Sequence, residues 1–156
     1  MTRLPHLDDT GAAKMVDVGA KDVTDRSATA RGRLTVSGEV IELLRRQEIP
    51  KGDALAVARI AAIAGTKRTA DLIPLCHPIR LTGVDVELTV TDHAIEIEVT
   101  CRATDRTGVE MEALTGVTVA GLALHDMVKA IDPAAVLTDV CLVAKTGGRH
   151  GDWHRE

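Results

Sequence analysis

Asp126 and Lys129 are a pair of residues whose types and spacing suit acid–base chemistry. They are three positions apart on a predicted helix, so their side chains share a face and can form an ion pair. On a solvated face such a pair is ordinary and contributes little. Here the pair follows a nearly apolar stretch, residues 113–124, and charges at the edge of a buried helix are costly unless they are used. The pair is therefore a candidate for proton transfer.

A second candidate is the segment LIPLCHP, residues 72–78, which predicts a stiff loop that presents Cys76 and His77. Each proline fixes its own φ and disfavours helical geometry in the residue before it. A rigid loop with an imidazole can position a proton donor or an anion contact. The alternative, that Pro74 and Pro78 only end the preceding helix, is open. Cys76 and His77 are a poor nucleophile–base pair, because neighbours in an extended segment point opposite ways.

Glu110 and Glu112 open the predicted long helix. Carboxylates in a first turn favour the positive end of the helix dipole, which is the simpler account of Glu110. The two side chains lie about 200° apart around the helix axis, so we expect at most one of them near the centre of a given cleft.

The three cysteines, Cys76, Cys101 and Cys141, form no CxxC pair and are odd in number, which indicates reduced thiols in a cytoplasmic protein. A zinc site that combines Cys76 and Cys101 with His77 and His125 is conceivable, but it has none of the usual ligand spacings. We expect no metal. The N-terminal residues, MTRLPHLDDTG, contain no apolar core of a signal peptide, and residues 113–124 are too few to span a bilayer.

Three lysines stand where an anion could be bound. Lys51 precedes a predicted helix N-terminus, where backbone N–H groups and the helix dipole favour negative charge. Lys67 follows the same helix, and Lys145 precedes Gly147 and Gly148, at which the backbone could approach a phosphate closely. Taken singly, each lysine is an ordinary surface charge.

The composition limits the partners. The chain has no Phe, no Tyr and one Trp, and its formal net charge is -4. Single-stranded nucleic acids and sugars are usually held on aromatic rings, and duplex DNA on a surplus of cations. We therefore expect no nucleic-acid partner, and an anionic ligand would require a local cluster of cations.

Apolar periodicity predicts the elements that position these residues. Ser37 and Asp53 are predicted helix N-caps. Gly116 and Ala120, four positions apart on the long helix, would let another helix or subunit pack closely. The predicted elements are a strand over 28–36, a helix from 37 that ends before 50, a helix from 53 to about 65, a hairpin of 84–90 and 95–100, a loop over 104–108, a helix from 109 to 131 and a strand over 136–144.

This order is βαββαβ with one extra helix. It predicts an α+β fold, a ferredoxin-like two-layer sandwich with an antiparallel sheet and the helices on one face. We expect residues 1–26 to be a partly ordered tail and residues 27–156 to be a single catalytic domain.

The motifs LIPLCHP, GVEMEAL and DMVKA, in this order and spacing, with MVDVGAKDVTDR before them and LVAKTGG after them, resemble the molybdenum cofactor biosynthesis protein C family. The resemblance extends from about Leu4 to Trp153. It implies a cytoplasmic lyase of the ferredoxin-like fold, with no cofactor and no metal. The implied reaction converts 3′,8-cyclo-7,8-dihydroguanosine 5′-triphosphate to cyclic pyranopterin monophosphate and releases pyrophosphate. The implied assembly is a homohexamer, a trimer of dimers, with the sites at the dimer interface.

The resemblance also implies roles for residues. The family's catalytic aspartate matches Asp126, and its two catalytic lysines match Lys51 and Lys129. One position departs from the family, because the residue before the aspartate is commonly Tyr and is His125 here. The matching substrate-contacting positions are Leu75, Cys76, His77, Met111 and Glu112, with Lys67 and Lys145 as further active-site lysines.

The residues and the resemblance agree on the chemistry. Lys51, Lys67, His77 and Lys145 could neutralise a triphosphate as pyrophosphate departs. A lysine beside a carboxylate suits the proton transfers. A second hypothesis, of a different class, is a non-catalytic nucleotide- or pterin-binding scaffold, which would need the cationic pocket but not the pair of Asp126 and Lys129.

Overall fold

The computed structural model describes residues 6–156, so residues 1–5 of the predicted N-terminal tail lie outside the described residues. The strands are β1 (Thr24–Thr35), β2 (Leu81–Val90), β3 (Ala94–Asp105), β4 (Val136–Thr146) and β5 (Trp153–His154). The helices are α1 (Gly38–Arg46), α2 (Ala54–Thr66), α3 (Thr69–Leu72) and α4 (Glu110–Val128).

The strands form one antiparallel sheet in the order β2-β3-β1-β4-β5. The first strand lies between β3 and β4, so each of the two longer connections crosses over a neighbouring strand and carries a helix with it. This arrangement confirms the predicted α+β, ferredoxin-like fold with one additional short helix.

The structure extends several elements beyond their predicted ends. β1 begins at Thr24 because Thr24 pairs with Asp105, which also places part of the predicted loop 104–108 in β3. β4 continues to Thr146, and α3 and β5 were not predicted. Main-chain hydrogen bonds hold these additions, and such bonds leave no alternation of apolar and polar residues in the sequence.

The core is aliphatic, as the composition predicted. Alternate residues of β1 and β3 face the helices, and the other residues of these strands face solvent. The opposite face of the sheet is polar, with ion pairs such as Arg102–Asp85 at 2.6 Å. The largest fully buried apolar side chains are Leu34, Ile41, Ile95, Ile97, Leu124, Val40, Val99, Val109, Val117 and Val128.

A glycine sets the close approach of α4 to its neighbours, as predicted. A Cβ at Gly116 would lie 2.8 Å from Cγ2 of Thr66 on α2 and 2.9 Å from Cγ1 of Val99 on β3. The long helix therefore packs closely against both α2 and the sheet. No helix in residues 6–156 combines the length and the apolar character needed to cross a membrane.

Candidate active site

Asp126 lies between two ammonium groups. Its Oδ1 is 2.6 Å from Nζ of Lys129, and its Oδ2 is 3.1 Å from Nζ of Lys51. Lys51 also donates to the main-chain carbonyl oxygen of Asp126 at 2.8 Å. The predicted pairing of Asp126 with Lys129 is confirmed, and one chain brings all three residues together.

Local structure explains how the three residues meet. Lys51 precedes Gly52, which has a φ of +106°, and Asp53, whose side chain caps α2 by accepting from the N–H of Ala56 at 2.9 Å. This turn leads the chain from α1 into α2 beside the last turn of α4. Lys129 is the C-cap residue of α4, so both lysines also face the negative end of the helix dipole.

Hydrogen bonds from Lys129 and then Lys51 lower the pKa of Asp126 below its ordinary value of 3.8. The carboxylate is therefore ionised at neutral pH and can hold both ammonium groups in place. About half of each side chain is exposed, so the group is open to a ligand. The arrangement suits proton transfer by either lysine, with Asp126 as the fixed partner.

A cleft of about 950 Å³ lies at the other end of α4. Five of the predicted substrate-contacting residues line it, three from the LIPLCHP loop and two from the first turn of the helix. The two prolines thus do more than end a helix, because the loop that they frame forms a wall of the cleft. These five residues are Leu75, Cys76, His77, Met111 and Glu112.

The N-terminal segment forms the facing wall. Val16, Val18 and residues 20–22 line the cleft, and Nε2 of His77 lies 2.6 Å from the main-chain carbonyl oxygen of Val16. If His77 donates from Nε2 to this carbonyl, only Nδ1 is left to face a ligand. Arg106 pins the same segment further along, because its Nε donates to the carbonyl of Lys21 at 3.0 Å.

Glu112 is buried at the floor of the cleft, with 3% of its surface exposed. Burial, with smaller contributions from Glu110 and Asp105, raises its pKa to about 7. Burial first, and then Glu112, also raises the pKa of the Cys76 thiol. A thiol with a raised pKa is a poor nucleophile at neutral pH, which agrees with the sequence-based argument against a pair of Cys76 and His77.

Glu110 also lines the cleft, so both first-turn carboxylates reach it. The expectation that at most one of them lies near the centre of the cleft stays a prediction, because both line the cleft at the end of the helix. Oε1 of Glu110 is 3.1 Å from Nζ of Lys145 on β4. This half-buried pair places Lys145 beside the cleft.

The structure therefore places the predicted residues in two groups. Glu112 and Asp126 are fourteen positions apart on α4, which corresponds to about 21 Å along the axis. Lys67 joins neither group: it is the C-cap of α2, is exposed, and does not line the cleft. The sequence alone could not reveal this separation, because the motifs show the order of the residues along the chain but not the distances between them in the fold.

Several cleft residues were missed by sequence reasoning. Arg26 at the start of β1, Arg106 in the loop after β3 and Arg149 after β4 all line the cleft. The only signal was their position in or next to recognised motifs, since Arg26 ends MVDVGAKDVTDR, Arg106 stands shortly before GVEMEAL and Arg149 follows LVAKTGG. Within residues 6–156, no group of three or more His, Cys, Asp or Glu side chains could hold a metal ion, so the conceivable zinc ligands are not assembled.

Comparison with known proteins identifies the family of this chain. The MoaC family model matches residues 15–148. A Streptomyces griseus protein named cyclic pyranopterin monophosphate synthase is 64% identical over 153 residues, which cover 98% of this chain and 86% of that protein. A Nocardioides protein of the same name is 58% identical over 156 residues, with 98% and 96% covered.

Cyclic pyranopterin monophosphate synthase 2 of Mycobacterium tuberculosis is 56% identical over 152 residues, which cover 97% of this chain and 91% of that protein. These similarities extend over almost the whole chain and include both groups of residues at the two ends of α4. The chain belongs to the MoaC family, the molybdenum cofactor biosynthesis protein C family that its motifs resemble.

Proposed function

We propose that this protein is a cyclic pyranopterin monophosphate synthase. It acts in the cytoplasm, in molybdenum cofactor biosynthesis, and converts 3′,8-cyclo-7,8-dihydroguanosine 5′-triphosphate to cyclic pyranopterin monophosphate and pyrophosphate. The observation that carries the proposal is the trio of Lys51, Asp126 and Lys129 in a chain whose relatives, at 56–64% identity, carry this enzyme's name.

The chemistry explains why such a trio is useful. Formation of a cyclic monophosphate requires a substrate hydroxyl oxygen to bond to the α-phosphorus while the bond from this phosphorus to the bridging oxygen breaks. Pyrophosphate leaves, and the hydroxyl proton must go to a base. We assign Lys51 and Lys129 as the acid and the base, with Asp126 orienting both through contacts of 3.1 and 2.6 Å.

The 21 Å between the two groups supports a site shared by two copies of the chain. A bicyclic ring that contacts Lys129 cannot also contact Met111 of the same chain over this distance. We propose that the cleft of one subunit faces the trio of another, in a homohexamer built as a trimer of dimers. Large apolar side chains on the outer surface of the helical layer support such contacts, with Ile60 68% exposed and Leu122 62% exposed.

The direct test is to incubate the purified protein with the cyclic dihydroguanosine triphosphate and to measure pyrophosphate and cyclic pyranopterin monophosphate. Stoichiometric release of both products supports the synthase. Binding without release supports the alternative, a non-catalytic scaffold. No observation on the chain favours that alternative, because a scaffold has no need of the three-residue ion cluster.

Mixing two inactive variants tests the shared site. Lys129→Ala removes one group and His77→Ala the other, so neither homomer should turn over. If each site combines the trio of one subunit with the cleft of the next, a mixed dimer has one intact site and activity returns. If both groups come from one chain, no mixture regains activity. Light scattering on each sample checks that hexamers persist.

A further inference from the structure

The end of the chain folds back along β4 and forms a hairpin, residues 142–156. We propose that Asp152 and Arg155 of this C-terminal hairpin are positioning residues, which hold Lys145 and the loop 147–151 at the edge of the cleft. The proposal rests on the proposed synthase reaction, because it concerns how the cleft is prepared for the triphosphate. Neither residue belongs to a motif singled out in the sequence.

The loop matters because its residues and its neighbours meet the cleft. Gly148, Arg149 and His150 line the cleft. Lys145, two positions before the loop, is 3.1 Å from Glu110, which lines the cleft as well. The course of the main chain through the loop therefore decides where these side chains stand relative to a bound substrate.

The loop has little means of holding its own shape. Gly147, Gly148 and Gly151 have φ values of +83°, +88° and +67°. Glycine reaches this left-handed region freely, but for the same reason it loses more conformational entropy than other residues when it is fixed. The hydrogen bond within the loop, from the N–H of Gly151 to the carbonyl oxygen of Gly148 at 3.1 Å, joins two of these glycines. The order of the loop therefore depends on contacts from outside it.

Asp152 supplies one of these contacts. Its Oδ1 accepts a hydrogen bond from the N–H of Gly147 at 3.0 Å and so closes the loop at its base. Gly147 directly follows Thr146, the last residue of β4, so the contact fixes the point where the chain leaves the sheet. A carboxylate near a site for a triphosphate is unfavourable through its charge, so we attribute the role of Asp152 to the hydrogen bond.

Arg155 holds the returning strand against β4. Its main-chain N–H donates to the carbonyl oxygen of Val143 at 2.8 Å, and its Nε donates to that of Leu142 at 2.6 Å. Its guanidinium carbon also lies 5.7 Å from the centre of the Trp153 ring, within the range of a cation–π contact. β5 has two residues, too few to pair stably by themselves, so these contacts keep the Asp152 carboxylate close to the loop.

β5 also acts on the main chain of Lys145 directly. Lys145 pairs with Ala28 of β1 on one side and with Trp153 of β5 on the other. Without β5 this end of β4 would be an edge of the sheet, with unpaired main-chain groups that are free to fray. The pairing with β5 therefore steadies the strand that carries Lys145 towards Glu110.

The two positioning residues reach a substrate only through these contacts. Neither Asp152 nor Arg155 is among the described residues that line the cleft, and both are exposed. Any effect that they have on the substrate therefore passes through Lys145 and the loop 147–151. Such an effect changes how well the cleft is ordered for binding and not the proton transfers assigned to the trio, so it should alter KM more than kcat.

The kinetic test compares Asp152→Ala and Arg155→Ala with the wild type, with the cyclic dihydroguanosine triphosphate as substrate. Each change should raise KM by about 2- to 10-fold, the effect of losing one ordinary hydrogen bond, and should alter kcat by less than about twofold. Glu156→Gln, at the exposed last residue, is the matched control and should leave KM unchanged. A wild-type KM in both alanine variants would overturn the proposal.

Asp152→Asn separates the hydrogen bond from the charge. Asparagine keeps an oxygen that can accept from the N–H of Gly147, but it has no negative charge. The KM of this variant should therefore stay within about twofold of the wild-type value. If Asp152→Asn raised KM as much as Asp152→Ala does, the charge would be the relevant feature and the positioning role would be wrong.

Trp153 is the only tryptophan in the chain, so its fluorescence reports on the C-terminal hairpin without any substrate. Asp152→Ala leaves the contacts of Trp153 itself intact, yet it should increase the quenching of this fluorescence by acrylamide. Amide hydrogen exchange in residues 145–151 should rise about tenfold in the same variant. Glu156→Gln should match the wild type in both measurements. Unchanged quenching and exchange in Asp152→Ala would show that its carboxylate does not order the hairpin.

The outcomes for the positioning role and for the synthase are separable. Turnover by the wild type, with unchanged KM and unchanged hydrogen exchange in both alanine variants, leaves the reaction in place and removes the positioning role. Faster exchange in residues 145–151 of Asp152→Ala, in a protein whose wild type does not turn over the triphosphate, leaves the ordering of the loop and removes the reaction. The melting temperature of each variant checks that the rest of the fold persists.

Discussion

Lys51 contacts Asp126 twice, once at the carboxylate, 3.1 Å away, and once at the main-chain carbonyl, 2.8 Å away. The main-chain contact links the turn before α2 to the last turn of α4, so it depends on the packing of the two helices and not only on charge. Replacement of the carboxylate would therefore leave Lys51 one of its two anchors. The packing of α2 against α4, and not only charge, therefore holds the trio together.

Lys51→Ala and Lys129→Ala should each reduce turnover by about 10²- to 10⁴-fold, the usual contribution of a general acid or base. The lysines are about half exposed, so their removal should leave the melting temperature within a few degrees. Pyrophosphate release measured under saturating substrate checks the rate. Arg31→Ala, at an exposed position on the polar face of the sheet, is the control, and full activity in Lys51→Ala or Lys129→Ala would contradict the assignment.

The ion pair between Glu110 and Lys145 should be measurable by a double-mutant cycle. Each side chain is 29% exposed and their closest atoms are 3.1 Å apart, so we expect a coupling free energy of about 1 kcal/mol. Urea unfolding of Glu110→Gln, Lys145→Met and the double variant gives this value. The more exposed pair of Arg46 and Glu42, 66% and 58% exposed and 3.7 Å apart, should show less coupling. Equal coupling free energies in the two pairs would mean that partial burial does not strengthen the ion pair.

The sequence predicted the fold well because its signals were strong and local. The hairpin, the long helix and the N-caps Ser37 and Asp53 follow from alternation, apolar length and capping chemistry, and the structure confirms them. The short additions α3 and β5 could not be predicted, since main-chain pairing defines them.

The sequence predicted many residues of the candidate site but not how the fold arranges them relative to one another. The pairing of Asp126 with Lys129 follows from helical spacing, whereas the contact with Lys51 depends on how α2 packs against α4. Arg26 and Arg106 were missed because a single arginine in a strand or loop forms no pattern with its neighbours, and only the fold brings both to the cleft.

Gly116→Ala should lower the free energy of unfolding by about 1–3 kcal/mol, as overpacking does, although alanine is the better helix former. A Cβ there would be 2.8 Å from Thr66 and 2.9 Å from Val99, so α4 must move away from α2 or from the sheet. The control is Gly38→Ala at the first position of α1, where a Cβ meets nothing within 4 Å. Thermal unfolding of both variants measures the difference in stability. Equal stability of the two variants would show that α4 can move away from its neighbours without loss of free energy of unfolding.

His77→Ala should free the N-terminal wall of the cleft. The contact between Nε2 and the carbonyl oxygen of Val16, at 2.6 Å, ties this wall to the LIPLCHP loop, and residues 20–22 are held separately through Arg106. Amide hydrogen exchange followed by mass spectrometry should therefore rise about tenfold or more in residues 14–19 and change little in β1. His93→Ala, at the exposed turn between β2 and β3, is the control. Unchanged exchange in residues 14–19 would show that the contact does not hold the segment.

The buried carboxyl of Glu112 should make stability depend on pH near neutrality. Its pKa is raised from 4.5 to about 7, so the folded state binds more protons than the unfolded state between these values. The free energy of unfolding therefore falls as pH rises through this window, and by pH 8 the advantage of the neutral form is lost. Glu112→Gln mimics that neutral form and should remove most of this dependence.

We expect Glu112→Gln to match the wild type at pH 5 and to exceed its free energy of unfolding by about 1–2 kcal/mol at pH 8. Urea unfolding at pH 5, 6, 7 and 8 measures the difference directly. Glu98→Gln, at an exposed position on the polar face of the sheet, should follow the wild type at every pH. Parallel pH profiles for Glu112→Gln and the wild type would mean that the carboxyl is already ionised at pH 5, because only a group that titrates in this range can bend the wild-type curve.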